Sequence, residues 1–347
     1  MSLRLARQLM VLLIPVAALY LALQATQRQT TVLSRWSLPV QLPAAAPNAL
    51  VGHAEPLAAE MRPAPPSHEQ LDAFNGGSAL QERVADGLVE YYRRALGGGE
   101  LAYFVVRLDE RVHIELINAD GATPASDEAG DTIWADRQQH LATVAEMAAA
   151  PYARRDGLEL LGAMAFGFHG AARTSNEGSV VINGVVHRVN AGRGALCISP
   201  ELRATIGLFD AEALRGCQQA VGGGPVILWQ GKVANPAVAA PEGEFIPFNP
   251  LGEDFVQLDW RIKIYGGTYP KTAACVGDLP GGRSFLVLAT SSGVTGVDLA
   301  RALRDMGCTA ALGGDDDTST QATWRGQPLW GNQPRAVPDA IGVYVRS

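Results

Sequence analysis

The sequence predicts an α+β fold: a mixed β-sheet domain with flanking helices that follows an N-terminal membrane segment. Its second half contains short apolar runs, rich in β-branched residues and separated by glycines, which are typical of strands. These runs outnumber the helical patterns and do not alternate regularly with them, which argues against a doubly wound fold. The predicted strands are Val180–Val186, Ala195–Ile198, Val226–Trp229, Phe285–Thr290, Thr309–Leu312 and Ile341–Val345.

The N-terminus is predicted to direct the chain out of the cytoplasm. Arg4 and Arg7 precede an apolar run from Leu9 to Leu23. This charge asymmetry favours an uncleaved signal anchor over residues 1–30, with the rest of the chain facing the periplasm or the exterior. A cleaved signal peptide, which would give a secreted protein, is the alternative. Residues 31–77 are rich in Pro and Ala and are predicted to be a linker.

The domain itself is predicted to span residues 100–347. Apolar spacing predicts a helix over 79–96, so that residues 78–99 form a helix leading into the domain. Alternating apolar residues predict a strand pair, Ala102–Leu108 and Val112–Ile117, with a turn between them.

Two later segments have other patterns. Arg137–Ala150 is a helix candidate. Residues 234–268 contain four prolines and are predicted to be irregular, either as a lid over a site or as a surface insertion.

A run of carboxylates at the end of a predicted strand is the most informative feature of the sequence. Thr295 and Asp298 form a capping-box pattern, and the helix that they begin is predicted to end at Gly307. The strand Thr309–Leu312 follows and leads into Gly313-Gly314-Asp315-Asp316-Asp317-Thr318-Ser319-Thr320. Unpaired carboxylates are costly to bury, so this segment is predicted to be either a functional site or a solvated acidic turn.

Composition excludes several classes of function. The chain has 28 Lys and Arg against 35 Asp and Glu, whereas a nucleic-acid-binding protein needs a basic face. The sequence contains no Walker-type phosphate loop and no dinucleotide fingerprint. It also lacks the Gly-x-Ser-x-Gly elbow of serine hydrolases.

The four cysteines all lie in the part predicted to be exported. An even number of cysteines in an oxidising compartment suggests up to two disulfides, and proximity in sequence favours the pairs Cys197–Cys217 and Cys275–Cys308. Four small buried thiols are the alternative. Their spacing matches no zinc site.

Several motifs, in order, resemble the phosphodiester glycosidase family over roughly residues 100–347. The family pattern Arg-Thr-Ala-x-Gly is similar to the segment Lys271–Gly277, and Ala-Leu-Asn-Leu-Asp-Gly-Gly-Gly-Ser-Thr is similar to Ala311–Thr320. The segment Gly222–Lys232 resembles a Gly-Pro-Leu-Leu-Val-x-x-Gly-Lys motif, and Arg335–Val345 resembles the closing strand of the family.

Three departures from the family pattern affect its motifs. The Asn of an Asn-Gly-Gly-Phe motif is absent at Ala165-Phe166-Gly167-Phe168, and Lys271 stands in place of an Arg. Two glycines after the family Asp are Asp316 and Asp317. The fold implied by the resemblance survives these changes, while each of them weakens the implied activity.

The resemblance implies a hydrolase that cleaves the sugar–phosphate bond of glycosyl phosphodiesters. Phosphate is a good leaving group, so the strong general acid of ordinary glycosidases is dispensable. A carboxylate that activates water or stabilises the transition state is still required, and so is a cation that holds the phosphate. Asp315 matches the family Asp and is the predicted carboxylate, with a turn-capping role as its alternative.

The remaining site candidates come from their positions in the sequence. Lys271 is the predicted phosphate-binding cation, although it lacks the bidentate fork of Arg, and Arg193 in a glycine-flanked turn is a second one. His169 is an acid–base candidate and His187 a binding candidate, but histidines at such turns are more often structural. The other predicted substrate-binding residues are Asp316, Asp317 and Ser319.

No cofactor is required by this chemistry. If a divalent cation does bind, the oxygen-rich run Asp315, Asp316 and Asp317 is its predicted site. The predicted partners are a glycosyl phosphodiester or glycan substrate and, through the N-terminal segment, the membrane. The alternative function is a non-catalytic envelope protein that retains the fold to bind a glycan or another protein. The sequence leaves open the sugar, the aglycone and the oligomeric state.

Overall fold

The structure is a computed structural model, which describes residues 78–119, 141–168, 178–255, 258–331 and 334–346. Within these ranges the chain is mostly β, with few and short helices. The strands are β1 Ala79–Val84, β2 Val89–Leu96, β3 Gly99–Arg107, β4 Val112–Asn118, β5 Leu158–Ala165, β6 Val180–Ile182, β7 Val185–Arg188, β8 Gly194–Ile198, β9 Ala204–Leu208, β10 Gln219–Gly222, β11 Val226–Trp229, β12 Lys232–Asn235, β13 Phe245–Pro247, β14 Tyr269–Asp278, β15 Ser284–Val294, β16 Ala310–Gly313, β17 Ala322–Trp324, β18 Gln327–Pro328 and β19 Asp339–Arg346. The helices are α1 Val144–Ala149, α2 Ala211–Leu214, α3 Leu258–Gly266 and α4 Gly296–Asp305, with short 3-10 turns at Ala85–Gly87, Pro151–Ala153, Pro280–Gly282 and Asp317–Ser319.

The strands form three sheets. The largest has nine strands in the order β1-β2-β3-β15-β14-β16-β11-β12-β13. Two five-stranded sheets have the orders β7-β6-β10-β8-β9 and β18-β17-β5-β19-β4. The described pairs are antiparallel except β12 with β13, which makes the large sheet mixed, as the sequence predicts.

The nine-stranded sheet is covered on both faces. Along β15, Leu286 and Leu288 share one apolar cluster with residues of the two smaller sheets. Val287 and Ala289, which alternate with them, share a second cluster with helix α4. Because successive side chains of a strand point to opposite faces, a continuous apolar run such as 285–290 is expected for a strand buried on both sides.

Helix α4 and the strand after it are confirmed. Thr295 accepts a hydrogen bond from the backbone N of Asp298 through its Oγ1, which caps the helix. Leu299 and Leu303 are buried on the face that meets the sheet. Gly307 follows the helix with a φ of 92°, a left-handed conformation that ends helices and favours glycine.

The helix predicted over residues 79–96 is wrong. This segment forms strands β1 and β2 of the large sheet, so the sheet begins before residue 100. Gly97 and Gly98, with φ of 57° and 87°, turn β2 back along β3. The aromatic and β-branched residues of β2 are buried on both faces of the sheet, and tertiary pairing of this kind outweighs helical spacing.

The predicted strand pair is also corrected. The strands Gly99–Arg107 and Val112–Asn118 both exist, but they do not pair with each other. β3 lies between β2 and β15 in the large sheet, whereas β4 is an edge strand beside β19. Asp109 and Glu110 therefore connect two sheets rather than close a hairpin.

Two more predicted elements are shorter or divided. The described part of the 137–150 helix is α1, where Thr143 and Glu146 form a capping box. Val180–Val186 is a hairpin of β6 and β7 that turns at Asn183 and Gly184, both with positive φ. The 234–268 segment contains β13 and α3 and is therefore only partly irregular.

Both predicted disulfides are present. Cys197–Cys217 and Cys275–Cys308 have Cα–Cα distances of 5.5 and 5.9 Å. None of the helices in the described ranges has the length and hydropathy that a membrane span requires. The apolar run Leu9–Leu23 and the 31–77 linker lie outside the described residues.

Candidate active site

The acidic segment lies at the end of β16, in the interior of the large sheet. β16 runs antiparallel to β14, so its last residues lie beside the first residues of β14. Gly314 donates its N–H to Thr272 O at 2.8 Å, and Asp315 donates its N–H to Phe166 O at 3.0 Å. A Cβ at residue 314 would lie 2.9 Å from the Phe166 ring and 3.1 Å from Thr272, so glycine is required for this close approach.

The turn that carries Arg193 lies at the same end of β16. Gly223 donates its N–H to Gly194 O at 3.0 Å, and Gly224 donates its N–H to Gly313 O at 2.8 Å. The glycines of the predicted Gly222–Pro225 motif therefore join the start of β8 to the end of β16. This connection places Arg193 near the acidic segment.

Asp315 is buried and paired with an arginine. Only 4% of the residue is exposed. Its Oδ2 accepts a hydrogen bond from Arg335 Nη2 at 3.0 Å, and its Oδ1 accepts one from the backbone N of Asp316 at 3.0 Å. The guanidinium of Arg335 also donates through Nε to Ser319 Oγ at 3.0 Å. The Asp315 carboxyl group is thus held in place by Arg335 and by the backbone of Asp316.

Asp316 has different surroundings. Its Oδ1 accepts a hydrogen bond from the backbone N of Thr272 at 3.3 Å. Burial raises the pKa of Asp316 to about 6, and the nearby positive charge of Lys271 opposes that rise. A carboxyl with a pKa near 6 exchanges protons close to neutral pH, which suits acid–base catalysis.

Lys271 is directed at the protein backbone. It is only 2% exposed, and its Nζ donates a hydrogen bond of 2.6 Å to Ile264 O in α3. Burial lowers the pKa of Lys271, and the charge of Asp316 partly offsets this effect. The ammonium group therefore joins β14 to α3.

Two arginines and two phenylalanines form a second cluster beside the carboxylates. The Cζ of Arg261, on α3, lies 3.4 Å from the centroid of the Phe168 ring, and the Cζ of Arg193 lies 4.2 Å from that of Phe255. Each guanidinium is also within 6 Å of the other ring, at 5.8 and 5.9 Å. Such stacking is attractive for a cation over an aromatic face.

Glu253 is buried beside this cluster. Its two carboxylate oxygens accept hydrogen bonds from the backbone N of Gly194 at 2.9 Å and of Val226 at 2.7 Å. Burial raises the pKa of Glu253, while the two backbone donors and the charges of Arg193 and Arg261 oppose the rise. Glu253 thus fixes the turn that holds Arg193.

The structure brings some predicted site residues together and separates others. Asp315, Asp316, Lys271 and Ser319 surround the end of β16, and the described interactions connect Arg193 to them through Arg261 and the Gly223–Gly224 segment. Ser319 is fully buried and accepts hydrogen bonds from Arg335. Asp317 is exposed at the start of the 3-10 turn.

His187 stands apart from this group. His187 lies on β7, at the edge of a five-stranded sheet, whereas Lys271 and Asp315 lie on or directly after strands of the large sheet. His169 lies outside the described residues, so its role stays a prediction. In the described ranges, no three His, Cys, Asp or Glu side chains are grouped as a metal ion would require. The Asp315–Asp317 run therefore shows no ligand geometry for a cation.

Sequence reasoning missed three residues of this site. Arg335 could have been found from the sequence, because it begins the segment that resembles the closing strand of the family. Glu253 and Arg261 lie within the 234–268 segment, where no motif marks them. Only the fold brings them next to Arg193 and Asp316.

Solved structures of two proteins resemble this fold. A hypothetical protein from Synechocystis aligns with a TM-score of 0.55 and 14% identity, covering 77% of this chain and 64% of that one. This chain therefore spans less than two thirds of that structure. The catalytic domain of zebrafish N-acetylglucosamine-1-phosphodiester alpha-N-acetylglucosaminidase, described as auto-inhibited by its pro-peptide, aligns with a TM-score of 0.50 and 13% identity, covering 78% of this chain and 82% of that one. At these identities the likeness shows the fold alone.

The family is shown by sequence. No curated protein sequence matches the chain. The family model described as phosphodiester glycosidase matches residues 162–344, a range that holds Asp315, Lys271, Arg193, Arg261 and Arg335. Because this match covers more than half of the sequence, the chain belongs to the phosphodiester glycosidase family.

Proposed function

We propose that this protein is an exported hydrolase that cleaves the sugar–phosphate bond of glycosyl phosphodiesters in envelope or extracellular glycans. The observation that carries the proposal is the pair of adjacent carboxylates at the end of β16. Asp315 is buried against Arg335, and Asp316 has a pKa of about 6. Both lie in the range that matches the family.

The two carboxylates suit different parts of the reaction. Water adds to the anomeric carbon while the bond from that carbon to the phosphate oxygen breaks, which gives a free sugar and a phosphomonoester. The carboxylate of Asp315, held in place by Arg335, stabilises the positive charge that develops on the sugar. Asp316 accepts the proton that the attacking water loses, since a base with a pKa near the working pH is the most effective. The phosphate leaves without a strong general acid.

Export and tethering rest on other features. The apolar run Leu9–Leu23 after Arg4 and Arg7 suits a signal anchor, and disulfides such as Cys197–Cys217 persist in oxidising compartments. We therefore place the proposed hydrolase at the outer face of the cytoplasmic membrane. Cleavage of the signal, which would release the protein, is the alternative.

Hydrolysis of defined substrates tests the activity. The substrate panel consists of aryl phosphodiesters of N-acetylglucosamine, the sugar named for the zebrafish enzyme, and of other sugars. We expect Asp315→Asn to lower kcat/KM on the order of 100-fold, because it removes a charge that acts in the transition state. Asp278→Asn is the matched control, since Asp278 is exposed at the far end of β14.

Folding is measured on the same proteins. Asp315→Asn weakens the hydrogen bonds with Arg335, and we expect it to lower the free energy of unfolding by about 1–2 kcal/mol. Assays well below the melting temperature separate this effect from catalysis. Activity of the Asp315→Asn protein equal to that of the wild type would show that Asp315 is not the working carboxylate. A wild-type protein inactive on every phosphodiester would favour the non-catalytic binding protein.

A further inference from the structure

We infer, on the basis of the proposed function, that Arg261 and Arg193 form the subsite that binds the anionic phosphoryl group of the substrate. Arg261 lies in a helix within the proline-containing 234–268 segment. The subsite consists of the two guanidinium groups and of the rings of Phe168 and Phe255, on which they stack.

Both guanidinium groups lie over an aromatic ring. The Cζ atoms lie 3.4 Å and 4.2 Å from the nearest ring centroids. A guanidinium presents its N–H groups as a planar fork, which is suited to bidentate contact with phosphate oxygens. Each guanidinium is within 6 Å of both rings, so the two arginines share one small region.

Charge favours an anion in this region. Two guanidinium groups held side by side repel each other, and an anion between them relieves the repulsion. The nearby carboxyls of Glu253 and Asp316 offset part of this positive charge, but burial raises the pKa of both and so favours their neutral forms.

Lys271 supports this subsite indirectly. Its Nζ donates to Ile264 O at 2.6 Å, and Ile264 is three residues after Arg261 in the same helix. The ammonium that the sequence suggests for phosphate binding thus holds the helix that presents Arg261. Lys271 is therefore a positioning residue, and Arg261 is the residue that contacts the ligand.

The subsite lies beside the carboxylates. Phe168 follows Phe166 by two residues, and Phe166 O accepts the N–H of Asp315 at 3.0 Å. Arg261 is also close enough to Asp316 to favour its charged form. A phosphoryl group bound by Arg261 would therefore lie next to the sugar carbon at which the proposed hydrolysis occurs.

Binding of inorganic phosphate tests the subsite without any turnover. Isothermal titration calorimetry at constant ionic strength would compare the wild type with Arg261→Met, which keeps the length and apolar contact of the side chain. We expect phosphate binding to weaken roughly 10- to 100-fold, the range that loss of hydrogen bonds to a charged group implies. Lys263→Met is the matched control, since it removes one positive charge from the exposed side of the same helix, and we expect it to change binding less than about twofold.

A second variant keeps the test decisive if Arg261→Met folds poorly. Arg261→Lys retains the charge and loses the planar fork, so we expect an intermediate loss of phosphate affinity. Equal phosphate binding by the wild type and both Arg261 variants would overturn the subsite, and so would a wild type that binds no phosphate. A protein that binds phosphate through Arg261 but hydrolyses no phosphodiester would keep the subsite and refute only the proposed reaction.

Discussion

At the scale of single residues, the two neighbouring carboxylates differ in what compensates them. Asp315 meets a guanidinium at 3.0 Å, whereas Asp316 meets one backbone N–H at 3.3 Å and lies near a lysine whose own ammonium donates elsewhere. Desolvation therefore dominates at Asp316 and raises its pKa to about 6. Asp316 is therefore the carboxyl of this pair that titrates close to neutral pH.

The raised pKa of Asp316 predicts a pH dependence of stability. The carboxyl binds its proton more tightly in the folded state, with a pKa of about 6, than at its model value of 3.8. The contribution of the protonated Asp316 carboxyl to the free energy of unfolding is complete below pH 3.8 and is lost as the pH rises through about 6. We expect the melting temperature of the wild type, relative to Asp316→Asn, to fall between pH 4 and pH 6 and then to level off.

The same variant tests catalysis. If Asp316 is the base, kcat/KM of the wild type rises with pH, with an apparent pKa near 6, and then reaches a plateau. The residual activity of Asp316→Asn should lack this rise. Thermal unfolding and initial rates at each pH supply both measurements. A melting-temperature difference that is constant from pH 4 to pH 7 would contradict the raised pKa.

Sequence reasoning reached only part of the site at this scale. The acidic segment was noticeable because three carboxylates after a buried strand have no role in core packing, and Asp315 was singled out within it by its match to the family motif. Arg261 and Glu253 were not predictable, because they lie in a segment without motifs. The contacts that define their role include Phe168 for Arg261 and Gly194 for Glu253, which are distant in sequence.

At the scale of elements, a hydrogen bond from Lys271 Nζ to Ile264 O links the start of β14 to helix α3. The helix is anchored near its C-terminal end by Tyr265, whose OH donates to Ala234 O at 2.6 Å. The N-terminal half of the same helix carries Arg261. Lys271 and Tyr265 thus fix the orientation in which Arg261 is presented.

Removal of this link should loosen α3. We expect Lys271→Met to increase amide hydrogen exchange in residues 261–266 about tenfold, because it deletes a buried charge-assisted hydrogen bond. Exchange in α4 should stay unchanged. Lys232→Met, at an exposed position on β12, is the matched control, and mass spectrometry of peptic fragments would measure the exchange. Unaltered exchange in α3 would show that Lys271 does not hold the helix.

The elements also show where periodicity succeeds and where it fails. The strand 285–290 was predictable because a sheet covered on both faces requires a continuous apolar run. For residues 79–96, in contrast, the spacing of apolar residues gave the wrong element. Val84, Leu88 and Leu96 have helical spacing, but β2 is set by its pairing with β3, in which Tyr92 stacks on Tyr103 at 5.2 Å. Pairing over the Gly97–Gly98 turn is invisible to a single-segment pattern.

At the scale of the whole molecule, the site depends on all three sheets. The carboxylates follow β16 of the large sheet. Phe166 and Phe168 follow β5 of one five-stranded sheet, and Arg193 precedes β8 of the other. The two disulfides join segments close to these elements. Cys197 lies in β8, and Cys275–Cys308 ties β14 to the residues just before β16. Oxidation therefore supports the strands that carry the site, which suits an oxidising compartment.

The location of the protein can be tested with a reporter fusion. Because two arginines precede the apolar run Leu9–Leu23 and disulfides lie close to the site, we expect the domain to reside outside the cytoplasm. Alkaline phosphatase folds only where its own disulfides form, so a C-terminal fusion to it should be active. The matched control is the same fusion with residues 9–23 deleted, which should be inactive because the chain then stays in the cytoplasm. An inactive full-length fusion, together with an active cytoplasmic reporter at the same position, would contradict export.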